Sequence, residues 1–231
     1  RYIRMKVERA VGGFGSGREL YVFKVPGTES YLPGDINNDK RVDRNDLVSY
    51  MNYTGLRRGD ADFEYVSRGD LNANGLIDAY DISAVAIQLN GGAGRQQADS
   101  LAGDLQLKPD KRSYAAGEEV RITVTGKNLR AVNALSFALA YNAQDYEYVG
   151  IETKALSGME NLTYDRLHSN GQKSLYPTFV NIGEQEAVTG SADLVVIRLK
   201  ARRAVSYQLQ ATDRILVDKD MNIRFAKSAT N

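Results

Sequence analysis

Gly34-Asp35-Ile36-Asn37-Asn38-Asp39-Lys40-Arg41-Val42-Asp43-Arg44-Asn45-Asp46 and Gly69-Asp70-Leu71-Asn72-Ala73-Asn74-Gly75-Leu76-Ile77-Asp78-Ala79-Tyr80-Asp81 are two copies of one pattern, G-D-x-N-x-[DN]-x-x-[VI]-D-x-x-D. The second copy is offset by 35 residues, Asp70 against Asp35. In an EF-hand-type loop of about 12 residues, side-chain oxygens at positions 1, 3, 5, 9 and 12 and the carbonyl at position 7 surround calcium. The first copy offers Asp35, Asn37, Asp39, the carbonyl of Arg41, Asp43 and Asp46. The second offers Asp70, Asn72, Asn74, the carbonyl of Leu76, Asp78 and Asp81. Every side-chain slot holds Asp or Asn, so two calcium sites are expected. Val42 and Ile77 fall at position 8, where an apolar residue pins the loop to its core.

The two loops are not equal. Loop 1 has more carboxylates but also Lys40, Arg41 and Arg44, whereas loop 2 keeps Gly75 and no basic residue. Loop 2 is therefore expected to bind calcium at least as tightly. Lys40 occupies position 6, where the backbone favours positive φ, at a cost of roughly 1 kcal/mol for a residue with a Cβ.

Behind each loop the apolar period becomes helical: Leu47, Tyr50 and Met51, then Ile82, Val85, Ala86 and Leu89. Gly55 and Gly91 stand where C-terminal caps are expected. Each unit thus reads as a loop followed by one helix, with no helix before the loop. This half-hand used twice resembles a dockerin, across residues 33–92. That resemblance implies a calcium-dependent module that docks onto a cohesin domain. Loop positions 10 and 11, often Ser/Thr pairs in that family, are Arg44-Asn45 and Ala79-Tyr80 here. They are the candidate partner-binding residues of the module, but partner choice does not carry over.

On the N-terminal side, residues 1–25 alternate in polarity around a Gly-rich turn, Gly12-Gly13-Phe14-Gly15-Ser16-Gly17, and read as two strands. Tyr2–Val7, Gly13–Ser16 and Glu19–Phe23 resemble the closing strands of discoidin-like (coagulation-factor type C) carbohydrate-binding domains, which implies glycan contacts made by a domain lying mostly upstream. An ordinary hairpin of the following module is the other reading. The opening Arg1, without Met, is expected to mark a piece of a longer protein. Pro26-Gly27 and Pro33-Gly34 place a boundary near residue 30, and residues 93–102 form a second linker.

Beyond residue 103 short strands alternate with turn residues, the signature of an antiparallel β-sandwich. The expected strands are 104–109, 119–126, 131–142, 146–153, 162–167, 174–182, 192–202, 206–212, 214–218 and 222–225. Val120, Ile122 and Val124 should face inward, with Leu135, Phe137, Leu139 and Tyr141, and Val195, Ile197 and Leu199. Ala134–Asn142, Tyr146–Val149 and Ala192–Lys200 resemble the strands of a cohesin, so a cohesin-like jelly roll is implied over residues 103–231, against an unrelated immunoglobulin-like spacer. Opposite its inward residues the 131–142 strand offers Ser136, Ala138 and Ala140, a row of small side chains that lets another element approach. These three join the candidate partner-binding residues.

The composition narrows the function. Thirty basic against 29 acidic residues leave a net charge of +1, which does not call for nucleic acid. No apolar run is long enough for a transmembrane segment. Cysteine is absent and His168 is the only histidine, which removes thiolate catalysis, Cys-based zinc and His-dependent triads. His168 reads as a surface or structural residue without a recognisable partner. No catalytic residues are assigned.

The expected architecture is multidomain and mainly β: a small α-helical calcium-loop module, residues 31–92, beside an antiparallel β-sandwich. The expected function is non-catalytic, calcium-dependent protein–protein contact of the cohesin–dockerin kind, within the chain or with another protein. By resemblance it is the C-terminal region of a secreted or cell-surface bacterial glycoside hydrolase. A calcium-stabilised carbohydrate-binding or spacer module is the alternative. A linker of about a dozen residues spans roughly 30–40 Å when extended, so docking within the chain is reachable.

Overall fold

The computed structural model describes residues 32–90, 100–183 and 185–226, which belong to one compact unit. The two strands expected in residues 1–25, the Gly91 cap and most of the 93–102 linker lie outside the described residues.

The first part is helical. Helix α1 spans Arg44–Tyr53 and helix α3 spans Ala79–Leu89, each directly behind its loop. Asp43 and Asp78 are their N-caps, and in both the third helical residue, Asp46 or Asp81, closes a capping box. The acids at loop positions 9 and 12 therefore start the helices as well as line the loops. Thr54 ends α1, and Gly55 follows at φ +79°, the left-handed conformation expected of a C-terminal glycine. One element departs from the expectation of a single helix per unit. A short helix α2, Phe63–Val66, runs into a 3₁₀ turn, Ser67–Gly69, just before loop 2. Phe63 and Val66 are buried, and four residues are too few to show a helical period.

The second part is the sandwich. One sheet has the order β1-β3-β10-β5, formed by Ala102–Pro109, Glu119–Val132, Val188–Ala201 and Tyr146–Thr153. The other runs β13-β12-β4-β8-β7, from Ile223–Phe225, Ala211–Val217, Ala134–Tyr141, Lys173–Tyr176 and Tyr164–Leu167. In that sheet β9, Thr178–Val180, also pairs with β4, and β6, Glu160–Asn161, pairs with β9. A small ribbon joins β2, Ser113–Tyr114, to β11, Val205–Ser206. All the pairings are antiparallel.

Three strand expectations are corrected. The 174–182 strand is split at Pro177, which has no N–H to give the ladder, and its halves β8 and β9 pair with opposite ends of β4. Residues 207–210 are not strand. Ala131 belongs to β3, where it sits at φ +55° beside register shifts that let this 14-residue strand bend.

The two sheets enclose one core, built from Leu105, Val120, Ile122, Val124, Leu135, Phe137, Leu139, Tyr141, Val195, Ile197 and Leu199 among others. The inward faces read from alternation all lie there. A second core lies on the other side of β4. There Ile36, Leu47, Tyr50, Ile77, Ile82, Val85 and Ala86 of the helical part merge with Ala134, Leu162, Val180, Ile215 and Val217 of the sandwich. Strand β4 is consequently buried on both faces, the pattern of a central strand in a layered structure.

Candidate calcium loops and docking interface

The two loops share one hydrogen-bond frame. In loop 1 the Asp35 carboxylate accepts from the N–H groups of Asp39 and Lys40 at 3.0 and 2.9 Å, and in loop 2 Asp70 accepts from Asn74 and Gly75 at 3.0 and 2.8 Å. Asn37 and Asn72 accept from the N–H two residues on, at 2.9 and 3.1 Å, as do Asp39 and Asn74, at 2.9 and 2.8 Å. Asp46 and Asp81 each bridge the two ends of their loop. Asp46 accepts from Asp43 and Asn37 at 2.8 and 3.3 Å, and Asp81 from Asp78 and Leu71 at 2.9 and 2.8 Å. Lys40 at φ +73° and Gly75 at φ +86° take the same left-handed turn, so the conformation expected at position 6 is present in both.

The charge balance of the loops suits a cation. Burial pushes the Asp78 carboxyl up to about 6, with the charges of Asp70 and Asp213 adding, although Asn74 and the Tyr80 N–H oppose it. Burial and the Asp78 charge hold Asp81 well above its ordinary value. Burial also raises Asp46, with Asp35 and Asp39 contributing. Crowded, desolvated carboxylates of this kind are relieved by a divalent cation. Among the described residues no three acidic or imidazole side chains form a metal cluster by themselves. The expected donor sets also include Asn37, Asn72, Asn74 and the carbonyls of Arg41 and Leu76, which are neither acids nor imidazoles.

Helix α3 meets the outer face of β4. The Ala79 N–H donates to the Ser136 hydroxyl at 3.3 Å, and Ala79, Ser136 and Ala138 are buried, with Ala140 half-buried. Ser136 is thus covered by this chain's own second repeat. Tyr80 packs half-buried against the shared core. Arg44 and Asn45, the corresponding residues of the first repeat, are exposed, as is Val48 one turn further on.

A second contact joins the parts at the other end of α1. The helix has no basic residue in its last turn. Arg166 of β7 supplies one. Its guanidinium donates to the Thr54 carbonyl at 2.9 and 2.8 Å and to the Asn52 carbonyl at 2.8 Å, satisfying carbonyls that a helix end leaves open. Gly55 lies against the Tyr176 ring so closely that a Cβ there would come within 2.2 Å of it. Next to it, His168 is buried between Asp60, 2.7 Å from Nδ1, and the Tyr176 hydroxyl, 2.8 Å from Nε2. A carboxylate only accepts, so Nδ1 carries the proton toward Asp60. The Ser169 N–H also donates to Asp60, at 3.1 Å, and the Ser169 hydroxyl accepts from Ala61 N–H at 2.9 Å. Burial raises the Asp60 carboxyl, but the hydrogen bonds from His168, Arg57 N–H and Ser169 N–H outweigh it and leave it below its ordinary value.

His168 therefore has two partners where the sequence shows none. Asp60 lies 108 residues away, a separation across which no local pattern operates. The only signal was the histidine's being single.

Comparison with known proteins agrees with this division. The Cohesin domain family matches residues 105–229, more than half of the chain. The chain belongs to the cohesin family. The Dockerin type I domain family matches residues 33–90. Type I dockerins bind calcium, and cohesin and dockerin are non-catalytic protein–protein interaction modules. No curated protein matches the sequence. Among solved structures, the cohesin module of a Clostridium perfringens family 33 glycoside hydrolase is 15% identical, with TM-score 0.43, over 55% of this chain and 92% of that one. The sixth cohesin of Acetivibrio cellulolyticus scaffoldin B, solved with a dockerin, is 12% identical with TM-score 0.43, over 55% and 94%. A type I cohesin–dockerin complex from Clostridium thermocellum is 11% identical with TM-score 0.42, over 57% and 92%. The sandwich is hereafter the cohesin domain and the helical part the dockerin module.

Among the described residues no helix is long and apolar enough to cross a membrane.

Proposed function

We propose that this chain is a self-docked, calcium-stabilised interaction region of a secreted bacterial glycoside hydrolase, in which the dockerin module occupies the binding face of its own cohesin domain. The observation that carries the reading is the common core: Ile77, Ile82, Val85 and Ala86 share one buried cluster with Ala134, Val180, Ile215 and Val217. Two calcium ions fit the scheme, one held by Asp35, Asn37, Asp39, Arg41, Asp43 and Asp46 and one by Asp70, Asn72, Asn74, Leu76, Asp78 and Asp81. They keep Val42 and Ile77 turned inward, so that α1 and α3 present a fixed surface. Calcium here is a folding requirement more than a signal. A tether as short as the 93–102 linker sets effective concentrations in the millimolar range, which favours the cohesin domain of the same chain over one in solution. Ala79, Tyr80, Ser136, Ala138 and Ala140 are the docking residues, while Arg44 and Asn45 remain for a partner in solution. The module then serves as a rigid spacer, with catalysis and glycan binding elsewhere in the protein, the latter in a discoidin-like domain ending near residue 30. Light scattering with calcium and with chelator tests the reading. A compact monomer in calcium is expected, and calcium-dependent self-association would replace docking in cis by docking in trans.

A further inference from the structure

The dockerin module is built twice over, so either of its helices could in principle be offered to β4. Ala79, Tyr80, Ser83 and Ala86 of α3 correspond, 35 residues back, to Arg44, Asn45, Val48 and Met51 of α1. In the structure only the α3 set is covered, and something must choose between the two orientations.

We propose that the turn between β7 and β8, with its flanking residues Arg166, His168, Ser169 and Tyr176, makes that choice, as an orientation-specific clamp for the exit of α1. The proposal rests on docking in cis. Its first support is that each contact of the clamp is specific to the first repeat. Arg166 takes the carbonyls of Asn52 and Thr54, Tyr176 lies on Gly55, and His168 and Ser169 take Asp60. The corresponding positions of the second repeat do not fit. Gly55 becomes Asn90, which ends α3 at φ −86° and brings a side chain where a Cβ is already 2.2 Å from the Tyr176 ring. No carboxylate stands 35 residues after Asp60 in the sequence, so the buried His168 would lack its acceptor. A buried donor left without its acceptor opposes the reversed orientation.

Its second support is burial. His168 and Asp60 are almost wholly enclosed, and the paired groups come from different modules, so the network exists only when both are docked in this sense. Arg57, which donates to Gln172 at 2.8 Å, lies at its rim. The row on β4 discriminates by steric fit, since Arg44, Val48 and Met51 are larger than Ala79, Ser83 and Ala86, and the clamp adds hydrogen bonds made by the first repeat.

The chain has no cysteine, so introduced pairs report orientation directly. Asn90 donates to the Ile182 carbonyl at 3.0 Å, which makes Asn90→Cys with Gly183→Cys the reporter of the observed orientation. Asn52→Cys with Gly183→Cys reports the reversed one. With a short bis-maleimide the first pair should close within the chain nearly completely and the second not at all. Adding Asp60→Asn and His168→Gln should lower the first at least several-fold and raise the second. If both variants leave closure confined to the 90/183 pair, the clamp does not set orientation and the proposal fails. If neither pair closes within the wild-type chain, or only cross-linked dimers form, docking in cis fails instead. Arg166→Gln, at a half-exposed residue, repeats the test should Asp60→Asn unfold the module. Retained calcium-dependent circular dichroism marks each variant as folded.

Discussion

Replacing Gly55 by alanine should separate the strain within the dockerin module from the packing between the two modules. Gly55 has φ +79°, so a Cβ costs about 1 kcal/mol wherever the module is. The same Cβ would lie 2.2, 2.5 and 2.7 Å from three atoms of the Tyr176 ring. The ring is held at its hydroxyl by His168 and cannot swing away freely, so over-packing adds about 1–3 kcal/mol. Gly55→Ala should therefore cost about 2–4 kcal/mol in total. In a Tyr176→Ala background the clash is gone, and the same substitution should cost only about 1 kcal/mol. Urea unfolding in saturating calcium, followed by tyrosine fluorescence since the chain has 14 Tyr and no Trp, gives both values. The difference is a coupling energy across the interface. Equal losses in the two backgrounds would refute the reasoning, because they would mean that Gly55 and Tyr176 do not touch in solution.

Other outcomes follow from the same geometry. Among the described residues Ser83 Oγ, buried in α3, has no hydrogen-bond partner, so Ser83→Ala should stabilise the chain by about 1 kcal/mol in urea unfolding. Asp60 lies below its ordinary carboxyl value when folded, so it binds protons less well folded than unfolded. Its contribution is present above about pH 4 and disappears as pH falls through the depressed value; wild type should lose stability against Asp60→Asn over that acid range, and parallel pH profiles would count against it. Chelation should loosen loops and helices together, read as a loss of amide-exchange protection in α1 and α3 while β3 and β10 stay protected. In calorimetric titration Asp35→Ala should leave the tighter calcium site intact and Asp70→Ala should not; retention of tight binding only by loop 1 would reverse the ranking.

Local chemistry made much of this protein legible in its sequence. A carboxylate at loop position 9 caps a helix, so spacing alone located the loops, α1, α3 and the left-handed turns at Lys40 and Gly75. Alternation did the same for β3 and β10, because a strand with one buried face repeats every second residue, and for β4, where large residues toward the sandwich core alternate with small ones. The row Ser136, Ala138 and Ala140 pointed to an approach of another element without saying which, and Ser136 is where α3 meets it.

Other features depended on the three-dimensional arrangement. Helix α2 is four residues long and is held by burial of Phe63 and Val66, below the length at which a period shows. Pro177 interrupts a strand paired along β4 that reads as continuous from residue types alone. The clamp is the clearest case. Asp60, His168 and Arg166 are unremarkable in their own neighbourhoods and Gly55 reads only as a helix cap; they acquire their roles at the interface only because the end of α1 is brought against β7 and β8. What the sequence by itself determined is every feature that depends on neighbours a few residues apart: the conformation of the duplicated loops, their helices and the faces of the strands. Which repeat is covered, and by what, was decided by the tertiary structure, because that choice depends on groups more than 100 residues apart meeting in a buried site where an unpaired donor or an extra Cβ is costly.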